Sequence, residues 1–226
     1  MRLITAADDE LYGLASAAGK LGRAAKLLAR LAEASAAAPG DVEAAGRHAL
    51  ALMAVLPSVG IEFAAHARFT ATVEALGRVL ELDPDHWLAR YSRARLRTLI
   101  PSSYGAYSVQ VDGDIDAARA DLDRLRSRQA QVPPQPYFVS ADALGAVLDG
   151  LAGAPVGWAS LLDALAAAPR VPVRLVALGA VLCEPLATLH SAAEGEPRQL
   201  LGEVMSAVYG TQPAVAAALA REPVGR

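Results

Sequence analysis

Apolar side chains recur at three- and four-residue steps along almost the whole chain, which is the spacing of one face of an α-helix. No segment alternates apolar and polar residues for long enough to predict a β-strand. Glycine and proline separate the periodic segments, and the clearest breaks are Gly19 and Gly22, Pro39-Gly40, Pro57, Asp83-Pro84 and Gly153-Ala154-Pro155. The pattern predicts an all-α protein.

Helix starts are indicated by aspartate in the first half of the chain and mostly by proline in the second. Asp41 predicts the N-cap of a helix that ends before Pro57, and Asp85 predicts the N-cap of a helix that begins at Trp87. Further helices are predicted near residues 60–82, 114–128, 137–151, 156–168, 172–183, 185–193, 197–209 and 213–221.

The composition is that of a globular chain with its own core. Of its 226 residues, 54% are hydrophobic and 20% are charged, so a large core needs no covalent staples. The single cysteine, Cys183, excludes an internal disulfide and a multi-thiolate zinc site. With a net charge of −3 and 5% aromatic residues, no nucleic-acid partner is expected. We expect one α-helical domain over residues 1–226.

The N-terminal segment carries no export signal. Asp8, Asp9 and Glu10 interrupt the chain before an apolar run can build up. The longest apolar segment, 171–183, contains Arg174 and falls short of the roughly 20 residues that cross a bilayer. We therefore expect no membrane partner and a cytoplasmic location.

One segment has the spacing of a helical repeat. It reads FVSADALGAVLDGLAGAPVGWASLLDALAAAP and places small and large residues on two successive helices: Leu144, Gly145 and Leu148, then Gly157, Leu161 and Ala164, with Pro169 at the end. This spacing resembles the tetratricopeptide repeat, a helix–turn–helix unit of about 34 residues. A second fragment, EALGRVLELDPDHWLARYSRA, is similar to the junction between two such repeats, with Pro84 closing the first.

The resemblance covers roughly residues 57–170. Pro84 and Pro169 are 85 residues apart, about 17 more than two periods, which indicates an irregular insertion at 101–113 together with a proline connector at 133–136. Residues 1–56 and 171–226 are then N-terminal and C-terminal helices that cap the array or continue it. The resemblance implies an antiparallel array of helix hairpins, an α–α superhelix.

The tetratricopeptide resemblance implies a function in protein–protein interaction. In that family the first helices of successive units line a concave groove that binds peptides, which places Tyr91, Ser92, Arg95 and Asp142 at the groove of this chain. We therefore expect an adaptor or scaffold that binds a protein or peptide. The alternative at these positions is a set of solvated helix faces balanced by nearby acids.

The insertion carries two aromatic side chains, Tyr104 and Tyr107, beside Ser102 and Ser103. Aromatic and hydroxyl groups on a long loop are typical of a binding surface, so both tyrosines are candidate partner-binding residues. They are equally consistent with packing that fills the lengthened repeat. A pocket under 101–113 is also the basis of an alternative function, an enzyme or a small-molecule-binding accessory protein of a biosynthetic pathway.

Catalytic and cofactor motifs are missing from the sequence. There is no GxxxxGK[ST], GxGxxG, HExxH or GxSxG, so no catalytic residue and no cofactor is predicted. Glu62 and His66 share a helical face, for which a surface hydrogen bond is the simpler explanation. Asp112, Asp114, Asp116 and Asp123 resemble calcium-loop spacing, but Ala117 stands where the turn needs glycine, so no metal is expected.

A third alternative is self-association. The alanine-rich helices at 1–38 and 197–221 have apolar faces that copies of the chain would cover in a homodimer or a larger scaffold.

Overall fold

The computed structural model describes residues 1–56, 63–103, 115–167 and 179–209. These ranges hold ten α-helices: α1 (Ala6–Lys20), α2 (Ala24–Ala37), α3 (Val42–Val55), α4 (Phe63–Leu82), α5 (Trp87–Ser103), α6 (Ile115–Gln129), α7 (Val139–Leu151), α8 (Trp158–Ala167), α9 (Gly179–Ala192) and α10 (Gly195–Tyr209). A 3-10 turn at Pro136–Phe138 precedes α7. No strand occurs within these four ranges, so the all-α prediction is confirmed.

Local signals set several helix ends where the sequence predicts them. Gly22 has a φ of +67°, a left-handed conformation that favours glycine, and it separates α1 from α2. The Asp41 Oδ1 atom accepts a hydrogen bond of 2.8 Å from the Glu43 N–H and caps α3. α4 ends at Leu82, directly before Asp83-Pro84.

Besides Pro197 in the first turn of α10, two prolines lie inside helices, contrary to prediction. The sequence predicts a break at Pro185, but α9 runs from Gly179 to Ala192 through it. Burial of Leu186, Ala187 and His190 holds this turn, and tertiary packing thereby outweighs the lost backbone hydrogen bond. Likewise α5 continues through Pro101 to Ser103, so the first residues of the predicted insertion are helical, and residues 104–113 lie outside the described ranges.

The chain divides into two compact units, Met1–Leu96 and Arg97–Arg226. The boundary falls inside α5 and not at residue 57 or 170, where the sequence analysis places the limits of the repeat-like segment. A single folding domain stays a prediction.

In the first unit, α3 is the central helix and packs against α1, α2 and α4. Its buried residues are mostly small: Ala45, Ala49, Leu50, Ala51, Met53, Ala54 and Val55. Alanine at these positions lets the neighbouring helix axes approach closely, since little side chain separates them.

In the second unit, α7 is the central helix and packs against α6, α8 and α9, while α10 packs against α8 and α9. Leu144, Val147 and Leu148 of α7 are each no more than 1% exposed. This helix carries the repeat-like motif, so the part of the sequence with the clearest pattern forms the core of the second unit. In the described part of the chain, no helix has the length and apolar character needed to cross a bilayer.

Candidate binding sites

An open groove of about 310 Å³ lies on the surface of the second unit. It is bordered by side chains of α6, α7, α8 and the turn before α8: Arg126, Asp142, Ala146, Asp149, Pro155, Val156, Gly157, Ser160, Leu161 and Ala164. Six of these residues are apolar or small, among them the buried Leu161 and the exposed Ala164, and the other four are charged or polar. A shallow groove of this size accepts a segment of extended chain more readily than an enclosed small molecule.

Two ion pairs stand beside the groove, each joining an arginine of α6 to an aspartate of α7. Arg126 Nε lies 3.5 Å from Asp142 Oδ1, and Arg119 Nη2 lies 3.0 Å from Asp149 Oδ1. Both arginines also donate to carbonyl oxygens of α7, and the distances are shorter for Arg119: its Nη2 lies 3.0 Å from the Leu148 oxygen, whereas Arg126 Nη2 lies 3.5 Å from the Ala141 and Asp142 oxygens. Partial burial raises the pKa of Asp142 above its ordinary value, and the neighbouring Arg126 opposes that rise.

Gly145 makes room for an arginine and not for the facing helix. A Cβ atom at this position has the Arg126 guanidinium atoms as its three nearest neighbours, all closer than 3.0 Å. The nearest atoms to Gly157 belong to Ser160 of its own helix. Neither glycine therefore has the other helix of the α7–α8 pair as its nearest neighbour.

Asp142 is the one predicted partner-binding residue in this groove, and its side chain is 57% exposed. Tyr91, Ser92 and Arg95 belong to the first unit and are 0%, 0% and 3% exposed. The expected solvent-facing position of these three side chains is therefore corrected, because packing buries the face of α5 that carries them. Tyr104 and Tyr107 lie outside the described residues.

The buried face of α5 is aromatic at its start. The Trp87 and Tyr91 rings stack with centroids 4.9 Å apart and planes 17° from parallel. One turn further on, Arg95 Cζ lies 5.8 Å from the centre of the Tyr91 ring, at the outer limit of a cation–π contact. Arg95 Nε and Ser92 Oγ are buried and have no hydrogen-bond partner in the described part of the chain.

A polar cluster that the sequence analysis misses joins three helix starts of the first unit. Arg2 Nη2 lies 2.6 Å from Glu43 Oε2 and 3.7 Å from Asp8 Oδ1, while Arg2 Nη1 lies 3.2 Å from His86 Nε2. The Arg2 carbonyl oxygen also accepts a hydrogen bond from the Trp87 N–H. Its members are up to 84 residues apart, so no local spacing reveals it.

One part of this cluster does have a sequence signal. Thr5 and Asp8 form a capping box at the start of α1: the Thr5 hydroxyl accepts from the Asp8 N–H, and Asp8 Oδ2 accepts from the Thr5 N–H at 2.8 Å. The T-x-x-D spacing is a variant of the usual box with glutamate in the last position.

His86, not Asp85, supplies the cap of α5. Its ring Nδ1 accepts a hydrogen bond of 3.3 Å from the Ala89 N–H, and its carbonyl oxygen accepts from the Arg90 N–H. Asp83 Oδ1 accepts from the Asp85 N–H and shapes the turn before the helix.

Burial is the main reason that the pKa of His86 falls to about 4, and the positive charge of Arg2 lowers it further. Asp83 and Asp8 oppose this fall. A protonated ring would lose the acceptor that caps α5 and would face Arg2 with a second positive charge. The neutral ring is therefore the form that the first unit holds at pH 7.

A cavity of about 10 Å³ lies next to this cluster, where α3, α4 and the start of α5 meet, and Gly46, His86 and Ser92 are among its lining residues. This volume holds about one water molecule and no organic ligand. Within the described ranges, no group of three or more histidine, cysteine, aspartate or glutamate side chains is arranged to hold a metal ion.

Together these features define an all-helical protein with an open surface groove in its second unit and a buried polar interior in its first. The chain matches no known family model, no curated protein and no solved structure.

Proposed function

We propose that this chain is a helical interaction module, an adaptor or scaffold, that binds a partner protein through a peptide segment laid in the groove between α7 and α8. The observation that carries the proposal is the groove itself: about 310 Å³, open to solvent, and lined by apolar side chains together with charged ones. Apolar contact supplies affinity in such a groove, and the charged groups fix the direction and register of the ligand.

The lining favours a peptide that carries both apolar and cationic side chains. Ala146, Val156 and Leu161 offer apolar contact, whereas the charged lining residues comprise two carboxylates and one guanidinium. Asp142 is the more accessible carboxylate, and its distance of 3.5 Å from Arg126 leaves it able to take a second cation.

Selection of peptides from a random library on the full chain tests the proposal. Ala164 is exposed and lines the groove, so Ala164→Trp should fill it. We expect this variant to bind the selected peptides at least 10-fold more weakly than the wild type. Ala166→Trp is the matched control on the same helix, because Ala166 is exposed and does not line the groove. Equal binding to both variants would place the peptide site elsewhere and contradict the proposal.

A second pair of variants tests the preference for cationic peptides. Asp142→Asn should weaken basic peptides about 3- to 10-fold, whereas Asp163→Asn, at an exposed position of α8 outside the groove, should leave them unchanged. Loss of binding in both variants would indicate a general charge effect and not a contact with Asp142.

The finer architecture belongs to the same proposal. We propose that the helix pairs stack as a tetratricopeptide-like superhelix and that the protein acts in the cytoplasm. The short connections between α1 and α2 and between α7 and α8 support the hairpin arrangement. The alternative, a pocket for a small molecule or a reaction under residues 101–113, depends on Tyr104 and Tyr107, which the structure does not describe.

Self-association stays a second candidate because Leu14 and Leu21 are 62% and 67% exposed on the first unit. Leu14 lies in the C-terminal half of α1 and Leu21 directly after its end, and the two form an apolar surface that a second copy would cover. Light scattering of the purified chain distinguishes a monomer from a homodimer, and Leu14→Lys should dissociate a dimer that uses this surface.

A further inference from the structure

Arg126 of α6 lines the groove and lies against Gly145 of α7. A Cβ atom at Gly145 would fall within 3.0 Å of three atoms of the Arg126 guanidinium. Glycine is unfavourable inside a helix compared with alanine, because it gives up more backbone freedom on folding. At Gly145 the missing side chain leaves a flat surface of α7, and the guanidinium occupies that surface.

Three oxygen atoms of α7 border this surface. Arg126 Nη2 lies 3.5 Å from the carbonyl oxygens of Ala141 and Asp142, and Arg126 Nε lies 3.5 Å from Asp142 Oδ1. A guanidinium is planar and carries five N–H donors, so a flat surface bordered by several acceptors suits it. We call Gly145, the two carbonyl oxygens and the Asp142 carboxylate the Gly145 site.

The contacts of Arg126 in the Gly145 site are weak. Each of the three distances is 3.5 Å, well beyond the roughly 2.9–3.0 Å of an ordinary N–H···O hydrogen bond. Its Nε is buried and forms no hydrogen bond in the described part of the chain. Moving this side chain into water therefore breaks no short hydrogen bond and lets Nε be hydrated.

We propose that the Gly145 site is the cation-binding subsite of the groove, that Arg126 fills it in the free chain, and that an arginine of the bound peptide replaces Arg126 there. The inference rests on the proposed function, and it names arginine as the cationic residue of the peptide. Lysine fits less well, because its ammonium is a compact point charge that cannot lie flat on α7. Arg126 is then an internal competitor of the peptide.

Methylguanidinium tests the Gly145 site without a peptide. It is titrated into the isotope-labelled full chain carrying Arg126→Ala, at constant ionic strength, and the amide signals of Gly145 and Asp142 are followed by NMR. We expect saturable shifts, with methylammonium binding about 5-fold more weakly. The wild type should also bind methylguanidinium about 5-fold more weakly, since Arg126 fills its site. Shifts that do not saturate in Arg126→Ala, or equal binding of the two cations, would overturn the proposal.

Two further variants locate the bound methylguanidinium. Gly145→Ala, added to Arg126→Ala, places a methyl group where the guanidinium lies and should weaken binding about 5-fold. Asp142→Asn in the same background removes an exposed carboxylate, so it keeps the test valid if the first double variant does not fold. Arg124→Ala is the matched control at an exposed arginine of α6 outside the groove, and it should bind as weakly as the wild type. Unchanged binding in both double variants would overturn the proposal.

Peptides selected on the wild-type chain test the displacement of Arg126. Arg126→Ala should bind them about 3- to 10-fold more tightly than the wild type, and replacing the arginine of the peptide by lysine should weaken binding by a similar factor. Weaker or unchanged binding to Arg126→Ala would overturn this inference and leave the peptide groove in place. Selection of no peptide, together with methylguanidinium binding to Arg126→Ala, would contradict the proposed function and support the Gly145 site.

Discussion

The interior of the first unit and the groove of the second hold ionisable side chains in opposite environments. In the first unit, Arg95 and His86 are buried, and a cavity of about 10 Å³ is the space left beside His86. In the second unit, the Arg126–Asp142 pair stands at the edge of an open groove of about 310 Å³. Water screens the second set and not the first.

Because of this difference, we expect substitutions in the first unit and substitutions at the groove to affect different properties of the protein. A buried polar group that loses its partner carries the whole cost of desolvation, so changes in the first unit should act on folding. An exposed ion pair contributes little to folding, so changes at the groove should act on what the protein binds. The following predictions, from the largest effect to the smallest, test that separation.

The largest effect is expected in the core of the second unit. Leu144 is 0% exposed in α7, and Leu144→Ala should lower the free energy of unfolding by about 3 kcal/mol, because it removes apolar contact and leaves a cavity. Leu151→Ala is the control at the end of the same helix, where the side chain is 38% exposed, and it should cost under about 1 kcal/mol. Urea denaturation measures both. Equal costs would mean that α7 is not the packed centre of its unit.

We expect the free energy of unfolding to fall by a similar amount when acid protonates His86. Its pKa is about 4 in the folded chain and about 6.5 when unfolded, so the unfolded chain takes up the proton first as the pH falls. The contribution of the neutral ring is fully present above pH 6.5 and is lost progressively down to about pH 4, to a total of about 3 kcal/mol.

His86→Asn is the matched variant for this titration, because asparagine can cap α5 and does not titrate. Urea denaturation at several pH values between 7 and 4 should show a steeper loss for the wild type than for the variant. Other titrating groups, including His48 and His190, whose pKa values are also lowered by burial, act equally in both proteins. Parallel curves would contradict the assigned role of His86.

Arg2→Met should change this titration in a defined direction. Removing the positive charge beside His86 Nε2 should raise the pKa of His86 from about 4, while burial keeps it below 6.5. NMR titration of the ring measures the shift. Arg23→Met, on a largely exposed arginine of the same unit, should leave the pKa of His86 unchanged. A fall in the pKa of His86, or no change, in Arg2→Met would show that Arg2 does not act on the ring.

The smallest effect on stability is expected at the groove. Arg126→Met breaks the 3.5 Å pair with Asp142 and should change the free energy of unfolding by under about 1 kcal/mol, since both side chains are partly exposed. Chemical denaturation gives this value directly. A decrease in the free energy of unfolding as large as that of Leu144→Ala would contradict the expected difference between the two regions.

Much of the helical architecture follows from local sequence. The break between α1 and α2 depends on Gly22, the end of α2 on Pro39-Gly40 and the start of α3 on Asp41, and these backbone preferences and caps act within a few residues. The predicted helix break at Pro185 is wrong, because burial of the surrounding turn of α9 outweighs the preference of proline to end a helix.

The candidate sites were predictable only in part. Asp142 lies on the groove as expected of an exposed charge on a helix face. The burial of Tyr91, Ser92 and Arg95 was not predictable, since helical spacing indicates which residues share a face but not whether another element covers that face.

The sequence by itself determined that this chain is helical, where most of its helices begin and end, and which helix carries the clearest repeat motif. Only the tertiary structure decided that His86 meets Arg2, 84 residues away, and which charged groups are buried and which reach water. The physical reason is range: caps, turns and periodicity act within one or two helical turns, whereas burial depends on surfaces that come together only when the chain has folded.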